Sequence, residues 1–504
     1  MRNSVPLLLI LCFFLASARL AYAFDSLLPG KIDQTVQRLA GKYRGIKLGV
    51  AVADAGSGKE IYSRKADSQM IPASVLKIVT SKAALNILGA EYRFPTEVFW
   101  DGTEETEGNL YVRGYGDPSL VEENLWQLAL LLRDKGIVQI KNLVIDDSLF
   151  VEPPAATGPR AYQAALSATS INNNCYRLRV SPGTKGGGPA HVGVTPGGLF
   201  DLSQRVKTLN KRGKSVRIVQ SPLSSSFNPK APLSRVGNFY DLGRKKIKLS
   251  IQGYIGLSQE IEEIYRSVPN PARYFASVFE YVLKSVGVNV SGLLLRGETP
   301  SAARLVHVYK SKPLKEILRD LNHYSSNFIA EQICYVLGQD SLGYFRHDLG
   351  LERLTSVLEQ LGYDSGQFKI ADASGLNPNS RLTAEQLLKV LVALNQDFSI
   401  SSDFISSLSR YNNSGTLKMR RLITELSGVA ATGKLYLEEK RRAEGVWGKT
   451  GTLTGVSSLA GYLETRSEER LAYVILVNGK VDKNTAIRIE NEIVKSMIGV
   501  VGRK

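Results

Sequence analysis

Apolar and polar residues divide the chain into three stretches of different texture. Near the start, Ile46 to Ala53 is β-rich, and the turn residues Asp54 to Gly58 lead into Glu60 to Tyr62, which predicts a hairpin. A loop ends at Ile71, Pro72 and Ala73, and Ser74 opens a helical stretch to about Leu88. Its apolar positions Val75, Ile78, Val79 and Leu85 follow a helical period only loosely, as in a helix covered on most sides. The far end has matching character. Val446 to Leu453, Ser457 to Leu463 and Leu471 to Val477 read as strands, with a polar turn at Arg466 to Glu469 between the last two. A final helix, Thr485 to Ile498, carries Ile489, Ile493 and Met497 on one face. Hairpin and helix at one end, strands and helix at the other, predict one mixed sheet built from both ends of the chain.

The middle is strand-rich and broken by loops, among them Ser181 to Gly198 and Ser221 to Ser234. Lys246 to Gln252 alternates, with Ile247, Leu249 and Ile251 on one face. Helical periodicity returns at Leu314, Ile317, Leu318 and Leu321, after Pro313 in a helix-starting position. A signal segment is expected over 1–23. A discontinuous domain then covers 24–90 and 304–504, and an inserted β-rich region of two small modules covers 91–303.

The leader expectation rests on Arg2, the apolar run from Val5 to Ala16 and the small residues of Ala21, Tyr22 and Ala23, before a cut at Phe24. The run is shorter than the ~20 residues of a spanning helix; a retained anchor is the alternative. The mature chain is expected to cross the inner membrane and work in the periplasm or cell envelope. Its 481 residues are too many for one ordinary core. Net charge is +17, or +15 once Arg2 and Arg19 leave with the leader. The basic clusters Lys211 to Lys214, Arg244 to Lys248 and Lys440 to Arg442 form no nucleic-acid module, so an anionic envelope surface is the partner they suggest, not nucleic acid. Cys175 and Cys334 lack metal or redox spacing and read as two separate buried thiols. His191, His307, His323 and His347 are scattered, so no metal and no cofactor is expected.

The chemistry starts at Ser74 and Lys77, which lie one helical turn apart on the same face. A serine hydroxyl is a poor nucleophile until a nearby base takes its proton. A lysine amine does so when desolvation and neighbouring positive charge favour its neutral form. Ser74 is the only serine in the chain followed three residues later by lysine. Two companions follow in order: Ser325, Ser326 and Asn327 after the Pro313 helix, then Lys449, Thr450 and Gly451 on a strand, where glycine lets a ligand approach the backbone. Gly448 to Thr450 copies the end of a phosphate loop, but Ala443 stands where its first glycine belongs and no helix follows.

The set resembles the class C low-molecular-mass penicillin-binding proteins, the D-alanyl-D-alanine carboxypeptidases and endopeptidases. Further segments carry the likeness: Gly114 to Leu120, Asp146 to Phe150, Asn172 to Asn174, Asp372 to Leu376, Ser414 to Leu417, and Lys449 to Leu453. The resemblance runs from about residue 30 to 500. It implies an α/β chain of the α+β type, with a β-lactamase/transpeptidase-like domain interrupted by a large insertion. It implies a serine hydrolase acting on peptidoglycan stem peptides, with β-lactam antibiotics as inhibitors. Ser74 would be acylated, Lys77 would take its proton, Ser325 would relay a proton and Asn327 would hold substrate and Lys77. Lys449, with Thr450 or Thr452, would bind the terminal carboxylate beside Gly451, and backbone N–H groups of Ser74 and Thr452 would form the oxyanion hole.

Asp372, Ser374 and Asp117 read as loop formers, and His323 as packed or solvated. The chain departs from the family it resembles at two places: Pro153 to Arg160 holds no aspartate, and Pro378 follows Leu376 and Asn377, with the nearest arginine at Arg381. Weaker discrimination of the third stem-peptide residue is expected. A β-lactamase and a non-catalytic envelope-binding protein of the same fold are the rival readings.

Overall fold

The computed structural model describes residues 27–103, 107–196, 198–220, 235–236, 238–420, 422, 445–465 and 469–498. The leader over 1–23, the loop Ser221 to Ser234, the cluster Lys440 to Arg442 and most of the polar turn after Thr465 lie outside the described residues. Among the described residues, no helix is long and apolar enough to cross a membrane. The chain forms two compact units, one of residues 1–92, 313–330 and 351–504, the other of 93–312 and 331–350.

The first unit is built on a six-stranded sheet. In spatial order its strands are Ser409–Arg410, Val446–Leu453, Val456–Glu464, Arg470–Gly479, Ile46–Asp54 and Glu60–Arg64. Every pairing is antiparallel, so the mixed sheet expected here is not what forms. Short turns join Val446–Leu453 to Val456–Glu464, that strand to Arg470–Gly479, and Ile46–Asp54 to Glu60–Arg64, while the remaining two pairings bring distant segments together; Gly455, at φ +70°, sits in the first of these turns. The central strands Val456–Glu464 and Arg470–Gly479 are buried along nearly their whole length and show no alternation. That is what helices on both faces produce. One face packs the helix over residues 27–42, through Leu28, Ile32, Val36 and Leu39, and the helix Lys483–Ile498, through Ile489, Ile493 and Met497. Glu490 on that last helix is also buried, paired with Arg420 and accepting from Ser457 Oγ at 2.6 Å. The other side carries Ala384–Gln396, capped by Thr383, whose hydroxyl accepts from the Gln386 N–H.

The second unit holds the mixed sheet. Its path runs Arg235–Val236, Phe239–Asp241, Leu294–Arg296, Gln139–Asp146, Gly108–Gly114, Pro95–Trp100 and Arg304–Lys310, with Asn289–Val290 also beside Gln139–Asp146. Gln139–Asp146 runs parallel to Gly108–Gly114, to Leu294–Arg296 and to Asn289–Val290. Parallel neighbours need a crossover, and the helix Glu122–Asp134 supplies the first. A second helix, Pro271–Ser285, starts at Asn270, whose side chain accepts from the Arg273 N–H. Neither helix is foreseen from the sequence. Two three-stranded sheets complete the unit: Phe200–Leu209, Ile247–Gly256 and Lys214–Gln220, and Glu262–Ser267, Cys175–Ser181 and His191–Thr195. Ile247, Leu249 and Ile251 are buried as their alternation predicts.

The family-like segments of this unit have structural partners. Asp146 is fully buried, accepts from Arg113 Nε at 2.9 Å and from Ser148 and the Thr299 N–H, while Asp147 meets Arg296 Nε at 2.7 Å. Asn172, Asn173 and Asn174 all have positive φ, and Asn174 Nδ2 donates to the Ala165 carbonyl at 2.9 Å. Asp117 Oδ1 accepts from the N–H and hydroxyl of Ser119, as a turn former does, while its Oδ2 is buried without a partner.

Candidate active site

Ser74 stands in a short 3-10 turn, Ala73–Leu76, that leads into the helix Lys77–Leu88. The tighter turn carries Ser74 ahead of the helix proper, and Ala73 before it holds φ +49°, an uncommon conformation for a residue with a Cβ. Two glycines make room for this turn. A Cβ on Gly375 would lie 2.0 Å from the Ala73 carbonyl oxygen, and one on Gly451 would lie 2.8 Å from the Ser74 nitrogen. The sequence suggests that Gly451 admits a ligand; what approaches its backbone is the serine turn itself.

Lys77 is fully buried. Its Nζ lies 3.0 Å from Ser74 Oγ, 2.8 Å from Asn327 Oδ1 and 2.5 Å from the carbonyl oxygen of Ser374. The last contact is not readable from the sequence, because the partner is a backbone atom in a loop of the sequence Asp372 to Leu376. Asp372 shapes that loop: its carboxylate accepts from Ser374 Oγ and from the N–H groups of Gly375 and Asn377. Asp372 and Ser374 are thus loop formers, and the Ser374 carbonyl also holds Lys77.

Ser325 follows the helix Leu314–Tyr324 as its left-handed cap, at φ +55°. Lys449 Nζ donates to Ser325 Oγ at 2.7 Å and to the Thr450 carbonyl at 2.7 Å. Lys449 is also fully buried, and burial, then the charge of Lys77, hold its ammonium well below the ordinary lysine range. Ser74, Lys77, Ser325, Asn327, Lys449 and Thr450 are thereby linked in one place, with Gly451 against the Ser74 turn; Thr452 stands exposed one residue further on. His323 is packed, its Nδ1 2.9 Å from the Ser407 carbonyl oxygen and its Nε2 3.1 Å from Ser414 Oγ. Arg381 is tied to its own loop, donating to the carbonyls of Pro378 and Ser380.

A serine beside a buried lysine, at the edge of an antiparallel sheet with helices on both faces, belongs to a serine-type hydrolase. The particular family follows from the whole chain: residues 28–498 match the profile of the D-Ala-D-Ala carboxypeptidase 3 (S13) family, and the chain belongs to it. It is 28% identical over 455 residues to the D-alanyl-D-alanine carboxypeptidase of Actinomadura sp. (strain R39), covering 86% of this chain and 78% of that one. It is 24% identical over 454 residues to the D-alanyl-D-alanine carboxypeptidase DacB of Haemophilus influenzae, covering 86% of each. The fold is that of penicillin binding protein 4 (dacB) from Haemophilus influenzae, with a TM-score of 0.70 at 22% identity over 92% of this chain and 99% of that one.

Proposed function

We propose that the protein is exported and removes the terminal D-alanine of peptidoglycan stem peptides through an acyl-enzyme on Ser74, with D,D-endopeptidase action on cross-links by the same site. The first unit is then the peptidase domain and residues 93–312 the bulk of the insertion. The observation that carries this reading is the environment of Lys77 Nζ. A neutral amine has two N–H donors and one lone pair. With Asn327 Oδ1 and the Ser374 carbonyl oxygen placed to accept two N–H groups, Lys77 can take the Ser74 hydroxyl proton on its lone pair, across the 3.0 Å contact, when it is in the neutral form. Lys77 is the base in this scheme, and Ser74 Oγ attacks the carbonyl of the penultimate D-alanine. The N–H groups of Ser74 and Thr452 receive the developing oxyanion. Ser325, hydrogen-bonded to Lys449, relays a proton to the leaving amine, Asn327 orients the substrate amide, and Lys449 with Thr450 or Thr452 holds the terminal carboxylate. Water then releases the acyl group.

A Haemophilus influenzae relative of this fold has been solved with a β-lactam bound, and the same serine here is the proposed target of such antibiotics. Fluorescent penicillin should label the intact protein durably and leave a Ser74→Ala variant dark. Rapid loss of label would make the protein a β-lactamase, and absence of label on the intact protein would leave only a binding role.

A further inference from the structure

From Thr450 in the proposed carboxylate pocket runs a file of hydroxyl groups whose further members the mechanism above does not use. Thr450 Oγ1 donates to Thr416 Oγ1 at 2.8 Å. Thr416 Oγ1 is 3.2 Å from Ser409 Oγ, and either atom can be the donor there. Ser409 Oγ in turn accepts from the Thr416 N–H at 3.1 Å and lies 3.5 Å from the His323 carbonyl oxygen. The three hydroxyls come from three elements: the strand Val446–Leu453, the short turn Gly415–Leu417 and the strand Ser409–Arg410. Their spacing is imposed by packing. Ser409 is fully buried, and Gly415, at φ +61°, has no room for a side chain, since a Cβ would lie 2.2 Å from Ser409 Oγ. Ser414 Oγ, next to that glycine, is held by His323 Nε2.

The Thr416–Ser409 contact can run in either direction, and a small rotation of the Thr416 side chain lets the Thr450–Thr416 contact reverse as well. As it stands, the Thr450 proton points away from the pocket, toward Thr416. When Thr450 turns its proton to an anion, its oxygen is left needing a donor. Thr416 can supply that proton if Ser409 donates to Thr416 in its place, and the Thr416 N–H still donates to Ser409. Each hydroxyl then both gives and receives a hydrogen bond, the arrangement that polarises the terminal donor most strongly.

We propose that Thr416, held by Ser409, is a positioning residue that turns the Thr450 hydroxyl toward the substrate's terminal carboxylate. This rests on the reading of Lys449 and Thr450 as carboxylate binders, so the experiment separates the two. Acylation is measured on a D-alanyl thioester whose leaving thiol bears a carboxylate and on one whose leaving thiol bears a carboxamide. With Thr416→Val, kcat/KM for the carboxylate substrate should fall roughly tenfold, the scale of one hydrogen bond to a charged group. The loss should sit in KM, with the carboxamide substrate unaffected. Thr416→Ser should recover activity to within about twofold, and Ser409→Ala should reproduce part of the loss. An unchanged preference in Thr416→Val overturns the inference, as does equal loss on both substrates or a Thr416→Ser variant no better than valine. Thr450→Val serves as the reference. If it keeps the carboxylate preference, Thr450 does not bind the carboxylate and the inference falls with that assignment; if it loses the preference while Thr416→Val keeps it, only the hydroxyl file fails.

Discussion

Lys449 has two demands on it: its surroundings disfavour charge, and a carboxylate binder needs charge. Burial and the neighbouring Lys77 hold its ammonium below the ordinary lysine range, so the positive charge disappears on raising the pH sooner than the reference value of about 10.5 would suggest. If Lys449 holds the substrate carboxylate as proposed, its charged form is the one that binds, and kcat/KM for substrates with a free carboxylate should fall on the alkaline side earlier than a normal lysine allows. A bound carboxylate favours the charged form and should move the corresponding limb of kcat upward. Lys449→Arg keeps its charge across this range and should remove the limb, at reduced activity, since a guanidinium does not reproduce the ammonium's donors. A limb that persists in Lys449→Arg belongs to another group. The same tolerance of strain for position recurs at Ala73 and Ser325, non-glycine residues with positive φ that flank or form the site.

At the scale of elements, the segment Gly114 to Leu120 carries a cost that can be measured. Asp117 is buried, one of its oxygens has no partner, and desolvation outweighs the Ser119 hydrogen bonds and the charge of Lys312 to push its carboxyl up to about 6. A folded value above the unfolded one of 3.8 means that its contribution to stability is whole at low pH and is lost as pH rises through about 6. The loss is on the order of 3 kcal/mol. Urea unfolding of the protein and of Asp117→Asn at pH 4 and pH 7 should show the variant gaining by about that amount relative to the parent at the higher pH. A difference that does not change with pH would remove Asp117 as its source. Which elements the sequence reveals follows the same physics of burial. The strands of the first unit are readable as apolar runs, but their directions are not, because connections and not side chains decide them. That is why a mixed sheet is expected in one unit and found in the other. The helix Glu122–Asp134 did carry a signal, with Leu125, Leu128, Ala129 and Leu132 buried on one face, and Asn270 before Pro271 marks the start of the second. In the site, the serines, lysines and Asn327 are visible as motifs. Gly451 and the segments holding Ser374, Gly375 and Thr416 are visible too, but the parts they play are not, since each acts through a contact between segments far apart in sequence.

For the whole molecule, part of the net charge of +17 is gathered on one sheet face. On the sheet of Phe200–Leu209, Ile247–Gly256 and Lys214–Gln220, Gln252 faces Arg205 on one side and Arg217 on the other, and Tyr254 faces Lys207. Arg205, Lys207, Arg217 and Lys248 are all exposed, and Lys211 Nζ sits 4.3 Å from the centre of the Tyr254 ring. Were the protein to meet an anionic envelope surface, as its sequence leads one to expect, this face would carry the contact. Retention on purified sacculi should weaken steadily as ionic strength rises, and replacing Arg205, Lys207 and Arg217 by glutamine should remove most of that dependence. Salt-insensitive retention would mean that a hydrophobic contact holds the protein instead.

The pairing of Ile46–Asp54 with Arg470–Gly479 has a consequence in time. Ile46 stands opposite Gly479, so the first strand of the sheet waits for a partner made 433 residues later. At ~5–20 residues per second, that delay is tens of seconds. Lys449, Thr450 and Gly451 are made only near the end of it. Most of the second unit is one contiguous stretch, 93–312, that leaves the ribosome long before. A growing or truncated chain therefore contains the serine and its lysine yet has no sheet to seat them against. Ser74 and Lys77 are therefore seated only when Val446–Leu453 and the strands after it have joined the sheet.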